Sequence, residues 1–163
     1  MAAYLAAMPS RSVDVRAGSR KMAAISVLIA DDEDVFAELV ETLLRSDGRF
    51  EVVGRARNGR EAVALAQRLL PEVIVMDIGM PVFDGIEATR RIRRTSPAIG
   101  VVIFTGSDEA RDIERAREVG AAAYVQKMHI DAVLLTAIER AADRDAISPR
   151  RGAKPLQAIV AIA

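Results

Sequence analysis

The 163-residue chain contains no cysteine and a single histidine. No disulfide frame, thiolate nucleophile or structural zinc site can be built from it, and a reducing compartment is the natural expectation. No apolar run approaches the roughly 20 residues that a membrane-spanning helix needs. The opening stretch MAAYLAAMPSRS has no basic residue ahead of its short apolar patch and no continuous hydrophobic region. It makes a poor secretion signal, and a cytoplasmic protein is expected. Net charge is absent too, since 23 basic residues face 23 acidic ones. That balance hides an uneven spread: Arg11, Arg16, Arg20 and Lys21 outweigh Asp14 near the start, Arg144, Arg150, Arg151 and Lys154 outweigh Asp145 near the end, and the middle is acidic. Basic residues scattered among Ala, Ser, Pro and Gly read as solvated linker rather than as a nucleic-acid footprint.

What is present is a globular composition, 51% apolar and 28% charged, at the length of one ordinary domain. The organisation expected is a flexible tail at 1–24, one domain at 25–143 and a second flexible tail at 144–163.

Within the domain, short β-rich runs alternate with longer amphipathic ones. ISVLIA (25–30) is an apolar strand, followed by a helix whose Val35, Phe36, Leu39, Val40, Leu43 and Leu44 share one face. FEVVGRA (50–56) alternates like a half-exposed edge strand, and REAVALAQRLL turns Ala62, Val63, Ala66, Leu69 and Leu70 to one side until Pro71 stops it. EVIVMD (72–77) and a helix from Asp84 follow, then GVVIFTG (100–106) and a helix with only Ile113, Ala116 and Val119 as modest anchors. AAAYVQK (121–127) and a last helix with Leu134, Ala137, Ile138 and Ala141 inward complete the series. Strict strand–helix alternation implies an α/β, doubly wound parallel sheet, because parallel neighbours need crossover connections.

In such a sheet, residues just past the strand C-termini meet on one rim, where ligands bind. Those positions hold Asp31 and Asp32, then Asp77, Thr105 and Lys127. Carboxylates crowded on one rim repel one another and need a cation. Mg²⁺, which keeps several waters and takes one or two carboxylates directly, suits them best, and Lys127 adds a further positive charge. A carboxylate beside Mg²⁺, an ammonium and a hydroxyl is a place to receive a phosphoryl group: Asp77 as acceptor, Lys127 and Thr105 on the equatorial oxygens, Gly79 and Gly106 leaving the approach open.

Residues 25–143 resemble the receiver domain of two-component response regulators. The motifs that carry the resemblance are VLIADDED, VIVMDIGMPVFDGIEATRRIR, VVIFTG and GAAAYVQK. Their flavour is nearest to receivers that usually carry a C-terminal helix-turn-helix. The resemblance implies a flavodoxin-like (βα)5 fold with strand order 2-1-3-4-5. It further implies phosphorylation of Asp77 by a histidine kinase or phosphotransfer protein, with no enzymatic turnover beyond self-catalysed phosphoryl acceptance and loss. Mg²⁺ would be bound by Asp32, Asp77 and the Gly79 backbone carbonyl, with Asp31 acting through water. Tyr124 would turn inward after Thr105 and reshape the surface of the fourth helix, fifth strand and fifth helix for a downstream protein or a second copy in a homodimer; neither membrane nor DNA is an expected partner. Two departures stand out. Lys127 is followed by Met128 rather than Pro, so no cis peptide is expected. The final SPRRGAKPLQAIVAIA is too short for a DNA-reading domain, so output is expected from the receiver surface unless the chain is a truncated regulator.

Each residue also has a plainer reading. Asp31 and Asp32 suit helix caps, Asp77 a turn, Thr105 and Tyr124 ordinary strands, Lys127 a wet surface. None of these explains their arrival on one rim. His129 is expected in an exposed loop, Arg90, Arg91, Arg93 and Arg94 on the wet face of the third helix with Ile86 and Ile92 inward, and Met76, Met80 and Met128 in packing. Two rival readings compete with the phosphoacceptor. A haloacid dehalogenase-like phosphatase would use Asp32 as nucleophile in DED and leave Asp77 idle; a phosphorylation-independent binding module would keep the fold without needing the polar rim. A flavin or nucleotide site fits worse, because the acidic first loop repels phosphate.

Overall fold

A computed structural model describes residues 23–143. Five strands, β1 (Ile25–Ala30), β2 (Phe50–Ala56), β3 (Val73–Met76), β4 (Gly100–Thr105) and β5 (Ala123–Gln126), form one parallel sheet in the order β2-β1-β3-β4-β5. Five helices connect or follow them: α1 (Asp34–Asp47), α2 (Gly59–Leu69), α3 (Gly85–Thr95), α4 (Ala110–Glu118) and α5 (Ala132–Ala142), with a 3-10 turn at Lys127–His129. The expected tails fall, but for residues 23 and 24, outside the described residues.

Because side chains alternate across a strand, β1, β3 and β4 feed two cores at once. Leu28, Ile74, Met76, Val101 and Ile103 pack with α2 and α3 residues on one face; Val27, Ile29, Val75, Val102 and Phe104 pack with α1 and α5 residues on the other. This double burial explains why the central strands read as unbroken apolar runs. Local signals set the helix starts: Asn58, Asp84 and Asp131 cap α2, α3 and α5 by accepting from the N–H of Glu61, Glu87 and Val133.

The structure corrects several inward assignments. In α1 the buried stripe is Ala37, Val40 and Leu44, whereas Val35 is 75% exposed and Leu39 46% exposed. A helix lying flat on a sheet buries a narrow i, i+3, i+7 line, and the alanine, not its larger neighbours, sits on it. Leu70 is exposed because it ends α2 in the left-handed region at φ 47°. Met128 is 75% exposed, being carried outward by the 3-10 turn, while Met76 and Met80 are buried. His129 is half-buried rather than exposed. Arg90, Arg91 and Arg94 are on the wet face of α3, but Arg93 folds back, half-buried, to donate to the carbonyls of Pro97 and Ile99. No peptide bond is cis among the described residues, where also no helix is long and apolar enough to cross a membrane.

Candidate functional site

The sheet register builds the rim. Ala30 is level with Met76, and Met76 with Ile103, so their chains leave the sheet side by side. The Asp77 N–H donates to the Ala30 carbonyl at 2.8 Å, and the Asp31 N–H to the Ala56 carbonyl at 3.0 Å. Both carboxylates are thereby held at the strand ends, and both are buried.

Lys127 arrives from the end of β5 and lies between them, also buried. Its Nζ is 2.8 Å from Asp31 Oδ2, 3.1 Å from Glu33 Oε1 and 3.4 Å from Asp77 Oδ2, and 4.2 Å from the centroid of the Phe36 ring. Burial pushes the ammonium toward neutrality. The hydrogen bond to Asp31, the charge of Asp77 and the bond to Glu33 outweigh that and hold its pKa above the usual lysine value. Asp31 is pushed upward, first by burial and then by the neighbouring Asp77, against the pull of Lys127. One cation therefore serves three carboxylates, and the cluster stays anionic.

Three of the five polar rim residues, Asp31, Asp77 and Lys127, meet directly. Asp32 does not join them. The Asp31 side chain accepts the Glu33 N–H at 2.9 Å, which curls the chain so that Asp32 faces solvent and Glu33 returns toward Lys127. The carboxylate oxygens of Asp31, Glu33 and Asp77 lie within 4.8 Å of one another. That all-oxygen donor set fits a hard divalent cation. Glu33 went unnoticed because it reads as an acid at the start of α1, and Phe36 because a Phe on a helix face reads as packing. The signal for both was a buried Lys, which needs more than one neighbour.

Thr105 is buried at the end of β4, where its hydroxyl oxygen faces the Ser107 N–H at 3.4 Å. Tyr124 is 1% exposed and already inward, its hydroxyl donating to the Ser107 carbonyl at 2.9 Å. Burial raises the Tyr124 pKa above its ordinary value. Ser107 and its partner Asp112 were also missed. At Gly79 a methyl group would meet only Asp77 Oδ2, at 3.6 Å, and at Gly106 nothing within 4 Å, so glycine at 106 is not a steric need. The glycine that matters is Gly85: a Cβ there would lie 1.9 Å from the Asp77 carbonyl oxygen. The first turn of α3 therefore sits directly on the backbone of Asp77.

Comparison with known proteins agrees with this construction. Residues 27–139 match the response regulator receiver domain. The chain is 40% identical over 106 residues to a protein-glutamate methylesterase/protein-glutamine glutaminase of Methanospirillum hungatei JF-1, covering 63% of this chain and 30% of that protein. It spans 30% to 57% of the length of that protein and of two transcriptional regulatory proteins, LnrK of Bacillus subtilis and PdtaR of Mycobacterium tuberculosis. Among solved structures, the response regulator domain of CheB from Thermotoga maritima superposes with a TM-score of 0.69 at 31% identity, covering 73% of this chain and 96% of that one. A two-component response regulator of the LuxR family from Aurantimonas sp. SI85-9A1 gives 0.70 at 33% identity, covering 73% and 85%. Phosphorylation and Mg²⁺ binding are general to this family, and its fold and matched span set aside the haloacid dehalogenase-like alternative. With β2-β1-β3-β4-β5 in place and an acidic, lysine-bearing pocket at the strand ends, the chain belongs to the receiver domain family of two-component response regulators.

Proposed function

We propose that the protein is a phosphorylation-activated switch that accepts a phosphoryl group on Asp77. The observation that carries this reading is the pairing of Lys127 Nζ with Asp77 Oδ2 at 3.4 Å inside a buried anionic cluster. An Asp77 oxygen attacks phosphorus in line, forming a P–O bond while the P–N bond of a donor phosphohistidine breaks. The imidazole leaves with the electron pair and takes a proton, and the product is an aspartyl phosphate. Lys127, kept protonated by its carboxylate neighbours, neutralises charge on the phosphoryl oxygens. Thr105 donates its hydroxyl to one of those oxygens.

Asp77, Asp31 and Glu33, with the Gly79 carbonyl and Asp32 from the same loops, would hold Mg²⁺. Bound there, the ion supplies electrostatic stabilisation of the transferring group. Val35, Leu39, Val82 and Met128, exposed apolar residues on the segments that leave the rim, suit a protein donor, a histidine kinase or phosphotransfer protein. The output surface is that of α4, β5 and α5, for a downstream protein or a second copy of the chain.

Incubation with acetyl phosphate and Mg²⁺, followed by intact mass measurement, should add one base-labile phosphoryl group that is absent from Asp77→Asn. An unchanged mass, or a label that survives Asp77→Asn, would overturn the reading.

A further inference from the structure

The segment that carries the switch threonine is tied down by a buried acid that the phosphoryl chemistry does not use. Asp112, on α4, is 8% exposed. Its Oδ2 accepts the Ser107 hydroxyl at 2.7 Å, and its Oδ1 faces Arg115 at 3.3 Å. Arg115 reaches on to Asp84 Oδ2 at 3.1 Å, while Asp84 Oδ1 accepts the Glu87 N–H at 2.8 Å and so caps α3. Gly85, the next residue, donates its N–H to the Ile78 carbonyl at 3.0 Å, and its Cα abuts the Asp77 carbonyl. At the other end, the Ser107 carbonyl holds the Tyr124 hydroxyl. A continuous run of contacts therefore joins the backbone of Asp77 to Tyr124 through α4, independent of Lys127 and of any divalent ion.

We infer that Asp112 is a positioning residue: clamped by Arg115 and Asp84, it fixes Ser107 so that Tyr124 stands inward before any phosphoryl group arrives. This rests on the reading above, in which inward Tyr124 accompanies phosphorylation of Asp77. Linkage sets the consequence. A contact that favours one state of a two-state element raises the affinity of every ligand that prefers that state, and its loss lowers that affinity. Four hydrogen bonds converge on Ser107: its hydroxyl donates to Asp112 and accepts from the Glu109 N–H at 3.3 Å, its carbonyl accepts from Tyr124, and its amide faces the Thr105 hydroxyl. The bond to Asp112 is the short one, and losing it leaves only the long contacts at 3.3 and 3.4 Å to hold the carbonyl that Tyr124 needs. The acid is suited to the task because a buried carboxylate must keep its partners; Asp112 has two, one on the switch segment and one leading to the phosphoacceptor loop.

The test uses the full chain carrying Tyr4→Phe, so that Tyr124 is the only tyrosine. Acrylamide quenching of its fluorescence reports whether the ring is inward, and titration with beryllofluoride at fixed Mg²⁺, a phosphoryl mimic, reports the coupling. Before titration, Tyr124 should be protected in the parent and more strongly quenched in Ser107→Ala, Asp112→Asn and Arg115→Ala. Half-saturation by beryllofluoride should rise about threefold or more in each variant, the range over which residues in coupling networks act. Saturating beryllofluoride should restore protection. Ser107→Ala combined with Arg115→Ala should exceed the larger single effect only slightly, since both cut one run of contacts. A parent in which Tyr124 is freely quenched overturns the inference, as do variants that lose stability while quenching and half-saturation stay put, which is the signature of a merely structural network. Failure of the parent to bind beryllofluoride at all strikes instead at the phosphoacceptor reading and leaves the quenching comparison to decide the positioning role.

Discussion

At the scale of single residues, Lys127 decides the electrostatics. Among the described residues it is the one ammonium that faces Asp31, Glu33 and Asp77, and removing one partner from a buried ion cluster leaves uncompensated charge. Lys127→Ala should lower stability by about 3 kcal/mol at neutral pH. Because the folded-state pKa of Lys127 is raised above 10.5, the fold binds this proton more tightly than the unfolded chain does. Its contribution is fully present below 10.5 and is lost as pH rises through the higher folded value. Urea melts across the alkaline range should therefore show the gap between wild type and variant closing above 10.5. A gap that persists unchanged would assign the loss to packing of the lysine stem on Phe36 instead. The sequence made Lys127 legible through its place at a strand end; its grip on Glu33, 94 residues away in the chain, depended on a turn that no periodicity encodes.

At the scale of elements, α3 is the part that touches the phosphoacceptor. Helix propensity favours alanine over glycine by about 1 kcal/mol, so Gly85→Ala ought to stabilise an isolated α3. The 1.9 Å approach of a Cβ to the Asp77 carbonyl opposes this, and the neighbour is backbone that cannot swing away. Overpacking of this kind costs about 1–3 kcal/mol, so the contact should win and the denaturant midpoint should fall. Gly106→Ala, with open space around it, serves as the control and should stay within about 0.5 kcal/mol of wild type. Equal midpoints for the two variants would mean that α3 does not press on Asp77. Element positions were readable from the alternation of β-rich and amphipathic runs, and from Asn58, Asp84 and Asp131 at helix starts. Which side of α1 goes inward was not, because Ala37 carries little hydrophobic signal beside Val35 and Leu39, yet it is the alanine that fits against the sheet.

At the scale of the molecule, the acidic rim sets fold stability against readiness for a cation. Asp77→Asn removes one of three converging carboxylates while Lys127 keeps the other two, so without added metal it should be at least as stable as wild type. Mg²⁺ binds the native state and not the unfolded chain, so it should raise the wild-type melting temperature, and Asp77→Asn should lose most of that rise. A thermal shift series with and without Mg²⁺ measures both, and a clear fall in the metal-free midpoint of the variant would contradict the repulsion argument.

By itself the sequence determined the alternation of strands and helices, hence a parallel sheet, and hence the delivery of Asp31, Asp77, Thr105 and Lys127 to one rim. That much follows from the two-residue period of strands and the need for crossovers, which are local and directional. Tertiary structure alone decided which acid of the Asp31–Asp32–Glu33 run turns inward, that Gly85 rests on Asp77, and that Asp112, which bonds Ser107 directly, is tied by Arg115 to Asp84, the last two being 31 residues apart. Such choices depend on the direction a side chain takes out of a turn and on partners brought close only when α3 and α4 pack together, and a pattern along the chain carries neither.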